Sequence, residues 1–535
     1  QAYVLQVCSI HCGPHQLKRM ARFTTTFWAC ALAALPAVRA CSGGRCNATE
    51  EAALLQRRNN IQVNASLQKA AAPFGTNLGG WLCLEDWFFS GSSGRYVSTT
   101  DPVGQGSCLP PLLFGDHEPW PSEGVLVHRL ASKYGKDYAA QVFEAHRNDF
   151  IGPSDLQAMK QIGVKVVRVP VMWTLFADCL ADIAPDVYGK HDPKTETAIV
   201  PDPYYTETIK YATIPRNLLE SLFAEGADLD ISFLLDIHAF PGGSSDGTYN
   251  GIWPEKPKFW TENVMVGNAT APISLKEAGL RIVGCAISWL EGLEGKAKSA
   301  VYGLSPMNEP GHLAGLQTPS FAQPADILDW LGAATRKFKE SQLPAQGVKM
   351  YMQVIETAFP GGSFFTQVPP WWKEVTTLED RQSFAVFDMH WYTAWGTKAG
   401  DLPGDAAVLC SKSVDEIMQV LTPGLVGFAE NFKEHFGDSL RATSEFSSST
   451  NADALVACND IEITKAFMLT QVRVMQSHGI DPYFWSFKMP YGPVFEAGWS
   501  LKKIFGLAET PRFPCAIGAG LNFPAGEVAC FAADC

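Results

Sequence analysis

The stretch Ile231-Ser232-Phe233-Leu234-Leu235-Asp236-Ile237-His238 decides the fold. It is a nearly continuous apolar run that ends in polar side chains. A strand that is apolar on both faces belongs in a parallel sheet covered on both sides. A helical pattern, Pro215–Gly226, precedes it, and a Pro-Gly turn at 241–242 follows. The same unit recurs in both directions along the chain. Strand candidates are Thr76–Leu82, Val164–Val169, Ile231–Ile237, Val301–Met307, Lys349–Ile355, Phe384–Met389, Leu440–Ser444 and Tyr483–Phe487. Helices are expected at Leu275–Leu290, Ala325–Lys339 and Ile461–Ser477, and another opens at Pro153-Ser154 and stops at Gly163. Eight short strands alternating with helices predict an α/β fold, a (β/α)₈ TIM barrel.

Polar groups stand where the apolar runs end: Arg168, Asp236 with His238, Asn308-Glu309, His390, Glu445, and Trp485 within the last run. In a barrel these ends share one face, the face that carries an active site. Charges buried there are costly without a partner or a task. Two of them are glutamates, Glu309 before Pro310 and Glu445 at the close of Ala442-Thr443-Ser444-Glu445-Phe446. Paired carboxyl groups with separated pKa values are what glycosidic bond hydrolysis requires. One protonates the leaving oxygen, and the other attacks or activates water.

Several motifs appear in order: Gly75-Thr76-Asn77-Leu78-Gly79-Gly80-Trp81-Leu82-Cys83-Leu84-Glu85, Arg168-Val169-Pro170, Asp236-Ile237-His238-Ala239-Phe240-Pro241-Gly242, Asn308-Glu309-Pro310, His390-Trp391-Tyr392, Ser444-Glu445-Phe446 and Phe484-Trp485-Ser486-Phe487-Lys488. From about Gly75 to Leu507 the chain thereby resembles glycoside hydrolase family five, and most of all its secreted exo-β-1,3-glucanases. The resemblance implies Glu309 as acid/base and Glu445 as nucleophile. It implies Asn308 at the sugar 2-hydroxyl, Arg168 and Tyr392 beside the nucleophile, and His238 and His390 lining the subsite of the cleaved sugar. Trp485 would stack under that sugar, and Glu85 would grip its hydroxyls or else form an ordinary salt bridge. Asp236 would be structural, holding His238 or its loop. The carboxyl groups of Glu309 and Glu445 should then lie about 5–5.5 Å apart, the retaining separation. Glu309, with no cation assigned beside it, should keep the proton. Trp371, Trp372, Trp391 and Trp395 are outer-subsite platforms or core.

The chain departs from the family at Ser444-Glu445-Phe446, where Gly-Glu-Trp is usual, and at Asp246-Gly247-Thr248-Tyr249-Asn250, where the exo-glucanases carry Phe-Asp-Asn. Action on β-glucan from the chain end is the leading expectation. An endo-β-1,4-glucanase or mannanase and a non-catalytic glucan-binding wall protein are the alternatives. The latter needs aromatics but no protonated acid.

The 535 residues are 46% hydrophobic and 18% charged, a globular composition. A net charge of −13 argues against nucleic acid as a partner. No apolar run reaches the roughly 18–20 residues of a membrane span. Residues 1–19 read as an upstream segment and 20–40 as a signal peptide cleaved after Ala40. An extension follows at 41–72, a catalytic barrel at 73–510 and a cysteine-containing tail at 511–535. Eleven of the fourteen cysteines follow Ala40, which suggests disulfides tying the tails to the body and at least one free thiol. Asn47, Asn64 and Asn268 open glycosylation triplets. These features predict a secreted monomer at the cell exterior or wall. No cysteine pair or acidic cluster has metal-ligand spacing and no phosphate loop is present, so neither metal nor cofactor is expected.

Overall fold

The computed structural model describes residues 73–85, 88, 122–261, 265–267, 272–393, 413–449, 461–489 and 496–507. The stretch read as a signal peptide, the expected extension and tail, most of the loop from Ser90, Trp395 and the triplet residues Asn47, Asn64 and Asn268 lie outside the described residues. Eight strands form a closed, all-parallel barrel: β1 Gly75–Asn77, β2 Val166–Met172, β3 Ser232–Ala239, β4 Val301–Ser305, β5 Lys349–Gln353, β6 Ala385–Asp388, β7 Leu440–Phe446 and β8 Ile480–Phe484. Each pairs with its sequence neighbours, and β1 closes the ring by pairing with both β2 and β8.

All eight expected strands are present, with shifted ends. β1 stops at Asn77 because Gly79 and Gly80 turn the chain, Gly80 with φ 72°. β8 starts three residues before the expected Tyr483, since Asp481 and Pro482 enter the ladder although they read as loop residues. β4 ends before Pro306, which has no N–H to donate.

The helices follow their local signals. Pro153–Ile162 opens with proline in its first turn and with the Asp155 side chain accepting from Gly152 N at 3.2 Å. It ends where Gly163 takes a left-handed conformation. Leu275–Gly292 is capped by Ser274, whose hydroxyl accepts from Glu277 N at 3.1 Å. The disulfide Cys179–Cys285 ties this helix to the turn after β2, within the barrel body, and the tail cysteines lie outside the described residues. Cys83 is a buried free thiol. No described helix is long and apolar enough to cross a membrane.

Side chains alternate along a strand, so positions two apart share a face. Val166, Leu234, Tyr351, Val386, Ala442 and Tyr483 form one buried cluster, each on a different strand. Gly75 is glycine because the Tyr483 ring lies 2.1 Å from where a Cβ would stand. Two residues further along come Arg168, Asp236, Gln353, Asp388 and Ser444 on the same strands, and Trp485 just past the end of β8. That rise of about 7 Å leads from an apolar plug to a polar layer.

Candidate active site

The polar layer centres on Arg168, which is fully buried on β2. Its Nη1 donates to Glu445 Oε1 at 2.6 Å and to Asn77 Oδ1 at 3.0 Å. Its Nη2 donates to Asn308 Oδ1 at 2.8 Å and lies 3.0 Å from Asp236 Oδ2. Burial alone would weaken the guanidinium charge. Asp236, Glu445 and Asp388 outweigh it and push the pKa up. One buried cation thus holds the ends of β1, β2, β3, β4 and β7 together.

Glu445 is 5% exposed, and both of its oxygens accept hydrogen bonds. Arg168 serves Oε1, and the Tyr392 hydroxyl donates to Oε2 at 2.7 Å. Asp236 links Arg168 to His238, whose Nδ1 stands 2.6 Å from Asp236 Oδ2. A ring that donates from Nδ1 accepts at Nε2, where the Asn308 amide points at 3.4 Å. Burial would raise the Asp236 carboxyl, but Arg168 and His238 hold it below its ordinary range.

Glu309 follows β4 and has φ 39°, a left-handed conformation costing about 1–3 kcal/mol in a non-glycine residue. Two bonds fix it there. Asn308 N donates to Ile237 O at 3.0 Å, and the Ser245 hydroxyl donates to Glu309 O at 2.6 Å. Glu309 Oε1 lies 2.9 Å from His390 Nδ1, which is also 3.4 Å from Glu445 Oε2. An oxygen of each glutamate and a nitrogen of His390 lie within 4.8 Å of one another.

His390 acts as a double donor. Its Nε2 lies 3.1 Å from Ser444 Oγ, whose own proton goes to Asp388 Oδ2. Both ring nitrogens therefore face acceptors, the pattern of an imidazolium. Burial opposes that charge, but Glu445, Glu309 and Asp388 outweigh it and raise the His390 pKa. Glu309 shows the counterpart. Burial alone would raise its carboxyl, yet its neighbours His312, His390 and Tyr249 hold it below the ordinary carboxylate range. The expectation that Glu309 has no cationic group beside it is therefore corrected. His390 is the cationic neighbour, with both ring nitrogens facing acceptors, and His312 flanks the other oxygen. The three converging groups have the donor types of a metal site, but Arg168 and Tyr392 already occupy both oxygens of Glu445. A dication there would face a guanidinium.

The other sequence-selected residues fall as follows. Trp485 is 3% exposed just beyond β8 and stacks on His238, with centroids 5.7 Å apart and planes at 8°. One face of its ring is thus covered by protein rather than open to a sugar. Glu85 is buried at 7% exposure, near enough for its charge to act on Tyr392. Trp371 and Trp372 are buried core, and Trp391 stacks on Phe428 at 4.3 Å. Trp371 and Trp372 thus belong to the core, and Trp391 is half-buried.

Sequence reasoning missed five residues. Asn77, Asp388 and Ser444 bond to the central groups. Tyr249 packs edge-on to His238 at 5.4 Å, and His312 Nδ1 lies 3.8 Å from Glu309 Oε2. His312 follows Glu309 by three residues, a proximity that could have been a signal. Tyr249 lies in a segment that matches the family poorly and gave none.

No family model matches the sequence. Over 191 residues the chain is 29% identical to Glucan 1,3-beta-glucosidase 3 of Schizosaccharomyces pombe, a match covering 35% of this chain and 32% of that protein. It thus spans about a third of the length of that curated relative. The structure of rutinosidase from Aspergillus niger superposes with TM-score 0.50 at 17% identity, over 81% of this chain and 96% of that one. The family 5 xyloglucanase from Paenibacillus pabuli aligns at TM-score 0.41 and 13% identity, over 83% and 96% of the two chains. The (β/α)₈ barrel is shared with the rutinosidase, and over its 191 matched residues the chain is similar to the glucan 1,3-beta-glucosidase.

Proposed function

We propose that this protein is a retaining β-glycosidase that hydrolyses β-glucan, with Glu309 as acid/base and Glu445 as nucleophile. The observation that carries the proposal is the meeting of the two carboxyl groups, an oxygen of each within 4.8 Å of the other, both beside His390 Nδ1. Retaining enzymes hold their carboxyl groups about 5–5.5 Å apart, and inverting ones leave roughly 6.5–9.5 Å for a water. Glu445, gripped by Arg168 and Tyr392, attacks the anomeric carbon. Glu309 gives a proton to the departing oxygen. It then takes one from the water that releases the glycosyl group. His390, 2.9 Å from Glu309, supplies the proton that the resting carboxylate lacks. Asn308, oriented by Arg168, meets the sugar 2-hydroxyl.

Exo action on β-1,3-glucan is the finer reading, and the name of the Schizosaccharomyces pombe relative supports it. The disulfide Cys179–Cys285 supports a secreted protein, since such bonds persist in oxidising compartments. We further read the protein as a monomer outside the cell or in the wall. Product analysis on laminarin tests the activity, with cellulose and mannan oligosaccharides as alternatives. Glucose alone from laminarin is expected. A ladder of oligomers would overturn the exo reading, and no cleavage of any of the three would overturn the enzyme.

A further inference from the structure

Glu309 has two sides. Oε1 meets His390, whose side chain is only 3% exposed, so that side is sealed within the barrel. Oε2 faces His312, whose side chain is 21% exposed. A proton handed to a departing group leaves from the open side. The leaving group therefore passes His312.

His312 is held in one orientation. Its Nδ1 lies 2.9 Å from Thr357 Oγ1, and that oxygen already accepts from Leu313 N at 3.2 Å. The hydroxyl satisfies both neighbours by donating to Nδ1, which leaves the ring proton on Nε2. Burial favours the same neutral ring, pushing the His312 pKa down. Among the described residues none pairs with Nε2. The Tyr249 ring, 6.4 Å from the His312 ring, bounds the other flank.

We propose that His312 determines leaving-group specificity, its Nε2–H donating to an oxygen of the departing unit, so that the protein prefers a hydroxyl-bearing sugar there over an apolar group. The proposal rests on Glu309 being the acid. Thr357 is a positioning residue that acts through His312.

The test compares a β-1,3-linked glucose disaccharide with cyclohexyl β-glucoside, whose leaving group is also a poorly reactive ring but lacks the hydroxyls. In His312→Ala, kcat/KM should fall about 10-fold further for the disaccharide than for the cyclohexyl glucoside, the loss of one hydrogen bond. Equal losses, or none, would overturn the proposal. Thr357→Val should show the same selective loss, smaller in size, and Thr357→Ser should restore it. These two variants decide the matter if His312→Ala does not fold, and equal behaviour of Val and Ser would count against the subsite. Should the unaltered protein cleave neither glucoside, the underlying glycosidase reading falls and takes the subsite with it. Cleavage of both without a selective loss removes the subsite alone.

Discussion

Two adjacent layers of the barrel interior differ in nearly every property that matters for function. The lower one, from Val166 through Tyr483, is apolar apart from the Tyr351 and Tyr483 hydroxyls, which bond to each other at 2.6 Å. The upper one, a single side-chain repeat higher on the same strands, contains Arg168, Asp236 and Asp388, with Glu309 and Glu445 at its rim. The lower layer gives the upper one a dry floor. Charges above it cannot relax into water and must satisfy one another, which is why Arg168 makes four polar contacts. Burial opposes a charge on His390, but Glu445, Glu309 and Asp388 around it outweigh that cost.

The comparison predicts that substitutions in the upper layer act on rate and those in the lower layer on stability. The largest effect should come from Glu445. Glu445→Gln should lower kcat by about 10⁴-fold or more, as loss of a nucleophile does. Glu309→Gln should lower it about 10²–10⁴-fold on glucan and much less on an activated aryl glucoside, which needs little protonation. Azide should rescue Glu309→Ala with retained configuration and Glu445→Ala with inverted configuration. The opposite products would mean that the roles are reversed.

An intermediate effect belongs to His390, and it is one of pH. The Glu309–His390 pair must carry one proton for the acid step, and the raised pKa of His390 keeps that proton on the pair to a pH above the ordinary imidazole value of about 6.5. The alkaline limb of kcat/KM should therefore lie above that value. In His390→Asn, Glu309 must hold the proton alone, and the limb should move into the carboxylate range near 4–5. An unmoved limb would show that the proton does not rest on His390.

The smallest effect on rate should follow Leu234→Ala in the lower layer. It should cost about 2–5 kcal/mol of stability through the cavity it leaves, measured by denaturant unfolding. It should change kcat/KM by no more than a few-fold where the protein remains folded. A rate loss comparable to that of Glu309→Gln would break the separation of the two layers.

Most of this architecture was legible in the sequence because parallel barrel strands are buried on both faces and appear as apolar runs. A glutamate, arginine or histidine at the end of such a run is conspicuous, as Arg168, Glu309, His390 and Glu445 were. Less could be read where no periodicity exists. His312 and Tyr249 sit in loops, and their nearness to Glu309 depends on how those loops fold over the barrel mouth. Trp485 was legible as a residue but not in its partner, since stacking on His238 joins β8 to β3 across the barrel. The protonation of Glu309 was misread for the same reason. A carboxyl pKa is set by neighbours, and here the neighbours come from β6 and from the loop after β4.

The central claim, that Glu445 attacks the sugar, is tested most directly by trapping. A 2-deoxy-2-fluoro β-glucoside with a good leaving group slows breakdown of the glycosyl-enzyme, and peptide mapping by mass spectrometry locates the label. The account predicts stoichiometric inactivation with the sugar on Glu445. A label on Glu309, or turnover to the inverted anomer with no covalent species, would contradict it.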